Sequence, residues 1–377
     1  MIPFNKPHLT GKEVHYIYEA VHSGKISGNG VFTKKCHDFF TSTFNFTKAL
    51  LTSSCTDALE MTSLLMDIQP GDEIILPTFT FVSTANAFVL RGAKLVFVDS
   101  LASEPNMNVE LIEELITPKT KAIVVVHYAG IACNMDVVMD IACKHQLFVV
   151  EDAAQAISSF YKGRPLGGIG DFGVFSFHET KNIISGEGGL LTINNSKYCN
   201  RSEIIWEKGT NRSAFFRGET DKYGWVDIGS SFLPSEIISA FLYAQLENLN
   251  DIQTKRLKIW NSYYNRLAPL AANNQIRLPY IPEYATNNAH MFYLICKSLE
   301  ERTALIAYFK ANNILAVFHY LSLHKSPYFL DKHDGREMHF ADQYAETLVR
   351  LPLFYDLSED DQEFICNTIL SFYSEKI

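Results

Sequence analysis

No stretch of this 377-residue chain approaches the roughly 20 consecutive apolar residues that a membrane span needs, so no membrane is expected among its partners. Positive charge is also scarce: 33 Lys and Arg against 42 Asp and Glu leave a net charge of −9. Such a chain has no basic field to neutralise a phosphate backbone, which argues against a general nucleic-acid binder. A small anion in one local basic pocket stays open. The cysteines are few, scattered, odd in number and without a CxxC pair, which excludes a disulfide framework and structural zinc and points to a reducing compartment. No pair of candidate side chains has a convincing metal-ligand spacing, and no metal is expected. The first residues, Met1 to Pro7, lack the basic-then-apolar layout of a signal peptide, so the expected location is cytoplasmic.

From about residue 48 to 194, short β-rich runs alternate with helix-like stretches. The runs are Ala49-Leu50-Leu51, Glu73-Ile74-Ile75-Leu76, Leu95-Val96-Phe97-Val98, Ala122-Ile123-Val124-Val125-Val126, Leu147-Phe148-Val149-Val150, residues 173–177 and Leu190-Leu191-Thr192-Ile193. Several are apolar at consecutive positions, as expected of strands covered on both faces. Between them, residues 57–66, 84–90, 109–116 and 135–144 carry apolar side chains at helical spacing. This predicts an α/β fold with a mostly parallel sheet and its sites at the carboxyl ends of the strands. Beyond residue 234 the spacing predicts one long helix over 235–267, a strand over 290–296, a helix over 302–310, a strand over 315–320 and a closing helix from 358. The expected division is a large domain over 1–245, including an N-terminal arm, and a smaller α/β domain over 246–377.

Chemistry concentrates in one ordered set: Glu151-Asp152-Ala153-Ala154-Gln155, then Ser176-Phe177-His178-Glu179-Thr180-Lys181, then Gly186-Glu187-Gly188-Gly189. It places an acid at the end of one apolar run and a lysine just past the next. Pyridoxal phosphate needs that pairing: the lysine amine forms a Schiff base, and the acid keeps the pyridine nitrogen protonated. An acid and a lysine at strand ends also occur in many other α/β enzymes. Thr52-Ser53-Ser54-Cys55-Thr56-Asp57, ahead of a helix, is either an anion cradle or a simple N-cap. Gly168-Ile169-Gly170-Asp171-Phe172-Gly173 matches the dinucleotide fingerprint by letter, but it opens a strand instead of a helix and reads as a tight turn.

The full string is more specific: it resembles the DegT-type sugar aminotransferases over nearly the whole chain. The resemblance implies the aspartate-aminotransferase-like fold type I and pyridoxal 5′-phosphate as cofactor. It assigns Lys181 and Asp152 the catalytic roles. Cofactor contacts fall on Cys55, Thr56, Phe81 (with Phe79 second), Gln155 and Ser176, and on Ser231 toward the cofactor of a partner subunit. Cys55 and Ser231 depart from the family's usual glycine and asparagine. Substrate contacts are expected at His178, Lys208, Arg212, Tyr320 and His324, each of which also reads as an ordinary loop or strand-end residue.

Four strings are similar to the subgroup that aminates C4 of a TDP-linked 4-oxo-6-deoxyglucose: Ile2-Pro3-Phe4-Asn5, Phe177-His178-Glu179-Thr180-Lys181-Asn182, Lys208-Gly209-Thr210-Asn211-Arg212-Ser213 and Asp227-Ile228-Gly229-Ser230-Ser231. The implied partners are a dTDP-linked keto sugar, glutamate as amino donor, and a second copy of the chain in a homodimer with shared active sites. Two alternatives are a sugar dehydratase of the same fold, which carries histidine where this chain has Lys181, and a catalytically silent binding protein.

Overall fold

A computed structural model describes residues 1–374. Its centre is a seven-stranded sheet that runs, edge to edge, Lys48–Thr52, Gly189–Ile193, Phe172–Ser176, Phe148–Asp152, Thr120–Val126, Glu73–Pro77 and Lys94–Val98. Gly189–Ile193 pairs antiparallel with both of its neighbours, while the other pairings are parallel. All seven runs read from sequence are therefore strands.

Consecutive apolar residues are needed because alternate side chains enter different layers. Ile74 and Leu76 pack on one face of the sheet and Ile75 on the other. Val124 likewise separates from Ile123 and Val125. Helices Cys55–Leu65, Val82–Val89 and Met135–His145 cover these faces.

A second sheet of three antiparallel strands, ordered Phe292–Ile295, Leu348–Leu351 and Val317–Phe318, lies in the C-terminal part. It packs with helices Leu249–Ala272, Leu299–Ala311 and Glu359–Ser374 around a separate core containing Tyr263, Phe292, Leu305 and Ile369. The N-terminal arm joins this core: Ile2 forms a parallel bridge with Ile314.

Three expectations need correction. The single helix predicted over 235–267 is two, Glu236–Leu246 and Leu249–Ala272. The break falls where the Asn248 side chain donates to the Ala244 carbonyl, 2.9 Å away, competing with the backbone for that acceptor. There Lys12, just ahead of the first helix Glu13–His22, and Tyr16 within it also hold Glu247. Residues 109–116 form two 3₁₀ turns instead of an α-helix. Pro118 disfavours helical geometry at Thr117 and cuts the segment short. Only Val317–Phe318 of the strand expected over 315–320 makes ladder pairs.

The glycine-rich turn has a different purpose from the one its letters suggest. Glu151, fully buried, accepts N–H bonds from Gly167 (2.8 Å), Ile169 (2.6 Å) and Gly170 (2.7 Å), and its other contact is His127 Nε2 at 3.0 Å. The turn wraps a carboxylate of its own chain. A Cβ at Gly170 would lie 2.8 Å from the Val149 carbonyl oxygen, which is why glycine is required there. This anchors the strand whose last residue is Asp152. Glu151→Ala would leave three buried N–H groups without an acceptor, at a cost on the order of 3 kcal/mol or more. Urea unfolding of the two proteins should show that loss; an unchanged midpoint would mean that the turn does not depend on the carboxylate.

Candidate active site

The last residue of the strand Phe148–Asp152 faces the loop that follows the strand Phe172–Ser176. Asp152 is buried, and its two oxygens are held separately: Oδ2 accepts from Thr84 Oγ1 at 2.7 Å and Oδ1 from the Ala154 N–H at 3.1 Å. Burial raises its pKa, opposed by these hydrogen bonds and by the Lys181 charge.

Lys181 sits on a closely tied loop. Its N–H donates to the His178 carbonyl at 2.9 Å, while the Phe177 N–H donates to the Gly188 carbonyl and the Ser185 N–H to the Phe177 carbonyl, folding the loop back on itself. Burial lowers the Lys181 amine to about 8; the nearby Asp152 carboxylate opposes this and the Arg350 charge assists it.

Both side chains line one cavity of about 560 Å³. Its floor includes the start of helix Cys55–Leu65. Ser54 caps that helix by accepting from the Asp57 N–H at 3.0 Å, so the N-cap reading holds for Ser54 itself. The first-turn N–H groups of Cys55 and Thr56 have no intrahelical acceptor and carry the positive end of the helix dipole. Gly189 packs against the Ser54 carbonyl and the Cys55 nitrogen, where any Cβ would collide with the backbone. Burial drives the Cys55 thiol up, so it stands there uncharged.

Ser176, His178, Gln155, Phe81 and Tyr320 line the same cavity. Gln155 is clamped at both ends: Oε1 accepts from the Ala129 N–H at 2.6 Å and Nε2 donates to the Tyr320 hydroxyl at 3.2 Å. Phe81 and Phe79 separate cleanly, with Phe79 in the core at 1% exposure and Phe81 open at 56%. An acid, an amine, an anion cradle and an exposed aromatic face together match the donor types that pyridoxal phosphate requires.

Four predicted residues lie elsewhere. Lys208 and Arg212 line a second cavity of about 740 Å³ together with Lys25, Lys34, Trp206 and Tyr223. Ser231 is exposed and bridges to Glu207, which lines that second cavity. His324 is buried, with Nδ1 2.9 Å from the Thr78 hydroxyl and Nε2 3.6 Å from Asp342. It lines a third cavity, of about 810 Å³, with Lys325, His333 and Asp342.

Sequence reasoning missed Thr84, His290 and Arg350, which also line the first cavity; His319, in the string Val317-Phe318-His319-Tyr320 that resembles a family motif near the substrate, lines it as well. Arg350 carried a usable signal, a charged residue inside the apolar run Leu348-Val349-Arg350-Leu351. The others sit in strings with no such contrast.

Residues 7–370 match the DegT/DnrJ/EryC1/StrS aminotransferase family. GDP-perosamine synthase from Escherichia coli O157:H7 is 31% identical, over 100% of this chain and 99% of its own. The spore coat polysaccharide biosynthesis protein SpsC from Bacillus subtilis is 29% identical, over 98% of this chain and 96% of its own. The putative sugar aminotransferase Spr1654 from Streptococcus pneumoniae, solved in its PMP form, superposes with a TM-score of 0.91 at 26% identity and covers 100% of both chains.

The depressed lysine gives a direct expectation. In protein stripped of cofactor, the neutral fraction of the Lys181 amine rises with pH around a midpoint of about 8, below the usual lysine value of 10.5. Trace acetylation across a pH series, read by peptide mass spectrometry, should show that midpoint at Lys181. A midpoint in the ordinary lysine range would contradict the electrostatic account.

Proposed function

Because this chain belongs to the DegT/DnrJ/EryC1/StrS aminotransferase family, whose members are pyridoxal-phosphate-dependent sugar aminotransferases, we propose that it moves the amino group of L-glutamate to C4 of dTDP-4-dehydro-6-deoxy-D-glucose. The product is dTDP-4-amino-4,6-dideoxy-D-galactose. The observation that carries the chemistry is the shared cavity of Lys181, Asp152 and the start of helix Cys55–Leu65. The sugar and its nucleotide rest on the four sequence strings given above. The large part, 1–245, supplies the cofactor cavity's acid and lysine, and the small part, 246–377, supplies its cover.

When bound, pyridoxal phosphate supplies the carbonyl that takes up the donor nitrogen and the ring that accepts electron density as the donor Cα–H bond breaks. Asp152, held by Thr84 and Ala154, keeps a proton on the pyridine nitrogen. The Cys55 and Thr56 N–H groups and the Ser176 hydroxyl hold the phosphate, and Gln155 fixes the ring oxygen. Phe81, exposed in the same cavity, would offer its aromatic face to the ring. Lys181 Nζ takes the proton from the donor Cα, which an amine titrating at about 8 can do near neutral pH. The same amine returns a proton to C4 of the sugar.

His178, on the Lys181 loop, and Tyr320 contact the substrates from the cavity wall. Lys208 and Arg212 bind the nucleotide diphosphate through charge-assisted hydrogen bonds. Their distance from the first cavity within one chain is resolved if a second copy brings its 208–231 segment to the site, where Ser231 reaches the partner's cofactor phosphate. Exposed apolar side chains support a covered face here: Trp225 is 85% exposed, with Val226 and Ile228 beside it. A homodimer with shared sites follows.

A second reading keeps the chemistry and changes the nucleotide, as the name of the GDP-perosamine synthase relative allows. Purified protein offered glutamate with dTDP- or GDP-linked 4-keto-6-deoxy sugars decides between them. We expect turnover with the dTDP sugar, from a species no smaller than a dimer by light scattering. Proton NMR of the product should show small H3–H4 couplings for the axial amine. Nitrogen at C3, or a preference for the GDP sugar, would overturn the substrate assignment.

A further inference from the structure

Three histidines line the cavity that holds Lys181, and their free nitrogens differ. His178 Nδ1 accepts from the Thr180 N–H at 3.3 Å, so its proton sits on Nε2. His319 Nε2 lies 3.3 Å from Arg350 Nη1, and an arginine only donates, so that lone pair is already spent. His290 is the third. Its Nδ1 is 3.0 Å from Asn182 Oδ1. The Asn182 amide nitrogen donates to Gln253 Oε1 and to the Asn288 carbonyl, both at 2.8 Å, which fixes the direction of the amide. Asn182 Oδ1 therefore accepts, His290 Nδ1 carries the proton, and His290 Nε2 keeps a bare lone pair.

The main chain fixes where this ring stands. The His290 N–H donates to Asn288 Oδ1 at 3.0 Å, and the His290 carbonyl accepts from Arg256 Nη2 at 2.8 Å. Asn288 in turn donates to the Gln155 and Ile157 carbonyls, at 2.8 and 2.9 Å. Asn182, Gln253, Asn288 and His290 are all buried, so the network holds one arrangement. Burial and the charges of Lys181, Arg350 and Arg256 keep the imidazole neutral. With Nδ1 turned to Asn182 and the ring in the cavity wall, Nε2 is the edge that faces the cavity. Among the described residues it has no hydrogen-bond partner.

We propose that His290 Nε2 accepts the C3 hydroxyl of the keto sugar, a role that rests on the C4 amination reading above. The ring stands among the cationic side chains of Lys181, Arg350 and Arg256, which repel a charged donor such as the ammonium of the incoming amino acid. What suits this nitrogen is a neutral O–H. The carbon that receives nitrogen must come to Lys181, so the receptor for a group on the adjacent carbon belongs in the same cavity. In a 4-keto-6-deoxyhexose, C4 has two neighbours: C5 carries a methyl group and the ring oxygen, and C3 carries a hydroxyl. Only C3 offers a hydrogen to an acceptor.

His290→Asn tests this, because the shorter amide can still donate to Asn182 in place of Nδ1 but puts nothing where Nε2 stands. Pyridoxamine-loaded protein is offered dTDP-4-keto-6-deoxyglucose and its 3-deoxy analogue, and the absorbance change gives kcat/KM for each. The wild type should prefer the hydroxylated sugar about tenfold, the worth of one hydrogen bond in a closed cavity. In His290→Asn that preference should vanish, and the half-reaction with glutamate should fall far less than the one with the hydroxylated sugar. His290→Gln, whose amide oxygen reaches the Nε2 position, should restore part of the preference. A residue that only supports the fold would slow both sugars alike. Equal losses for the two sugars, or a preference kept intact in His290→Asn, would overturn the proposal. Calorimetric titration of the pyridoxal-loaded proteins with the 4-amino sugar nucleotide, with and without its 3-hydroxyl, needs no turnover. Binding that depends on the hydroxyl in the wild type and not in His290→Asn supports the proposal even if the wild type aminates no sugar, a result that would sink only the transamination reading. Binding indifferent to the hydroxyl in both proteins would overturn the proposal.

Discussion

A single carboxylate, Asp152, constrains the geometry of the whole cavity. Buried carboxylates are costly unless both oxygens are satisfied, and here one oxygen is held by Thr84 from a helix and the other by the backbone of Ala154. The residue before it is locked still harder, with Glu151 gripped by the turn at Gly167 to Gly170. Two adjacent acids therefore do opposite work. One faces away from the cavity and rigidifies the strand end, and the other faces in with a fixed direction. Lys181 arrives opposite on the next strand's loop, and the low dielectric between them lowers the amine's affinity for its proton.

The large sheet was legible in the sequence because strands buried on both faces must be apolar at consecutive positions. All seven such runs pair as strands. The strand Leu348–Leu351 is hidden because Arg350 interrupts its apolar run, and the helices Glu13–His22 and Val31–Phe44 lie ahead of the strand–helix alternation that starts near residue 48. The break at Glu247 and Asn248 depends on contacts with Lys12 and Tyr16 more than 200 residues away, which no local pattern carries.

The site was legible where chemistry dictates spacing along one strand or loop. Asp152, Gln155, Ser176, His178 and Lys181 meet in one cavity because the parallel sheet aligns the ends of neighbouring strands. The small lobe's contribution was harder to see. His324 looked like a substrate residue, yet its ring is committed to Thr78 and Asp342. Arg350, on the strand Leu348–Leu351, and His319, just past the strand Val317–Phe318, form a hydrogen bond that the linear string conceals. The basic segment around Lys208 and Arg212 opens on a different cavity of the same chain, so its proposed part in the reaction depends on assembly.

The central claim is that Lys181 is the residue joined to the cofactor across from Asp152. Borohydride reduction of the holoenzyme, followed by peptide mapping, tests it most directly. The account predicts a phosphopyridoxyl group on Lys181 and its absence from Lys181→Ala, in which no other lysine takes the label. A label on Lys162 or Lys208 in the wild-type protein would contradict it.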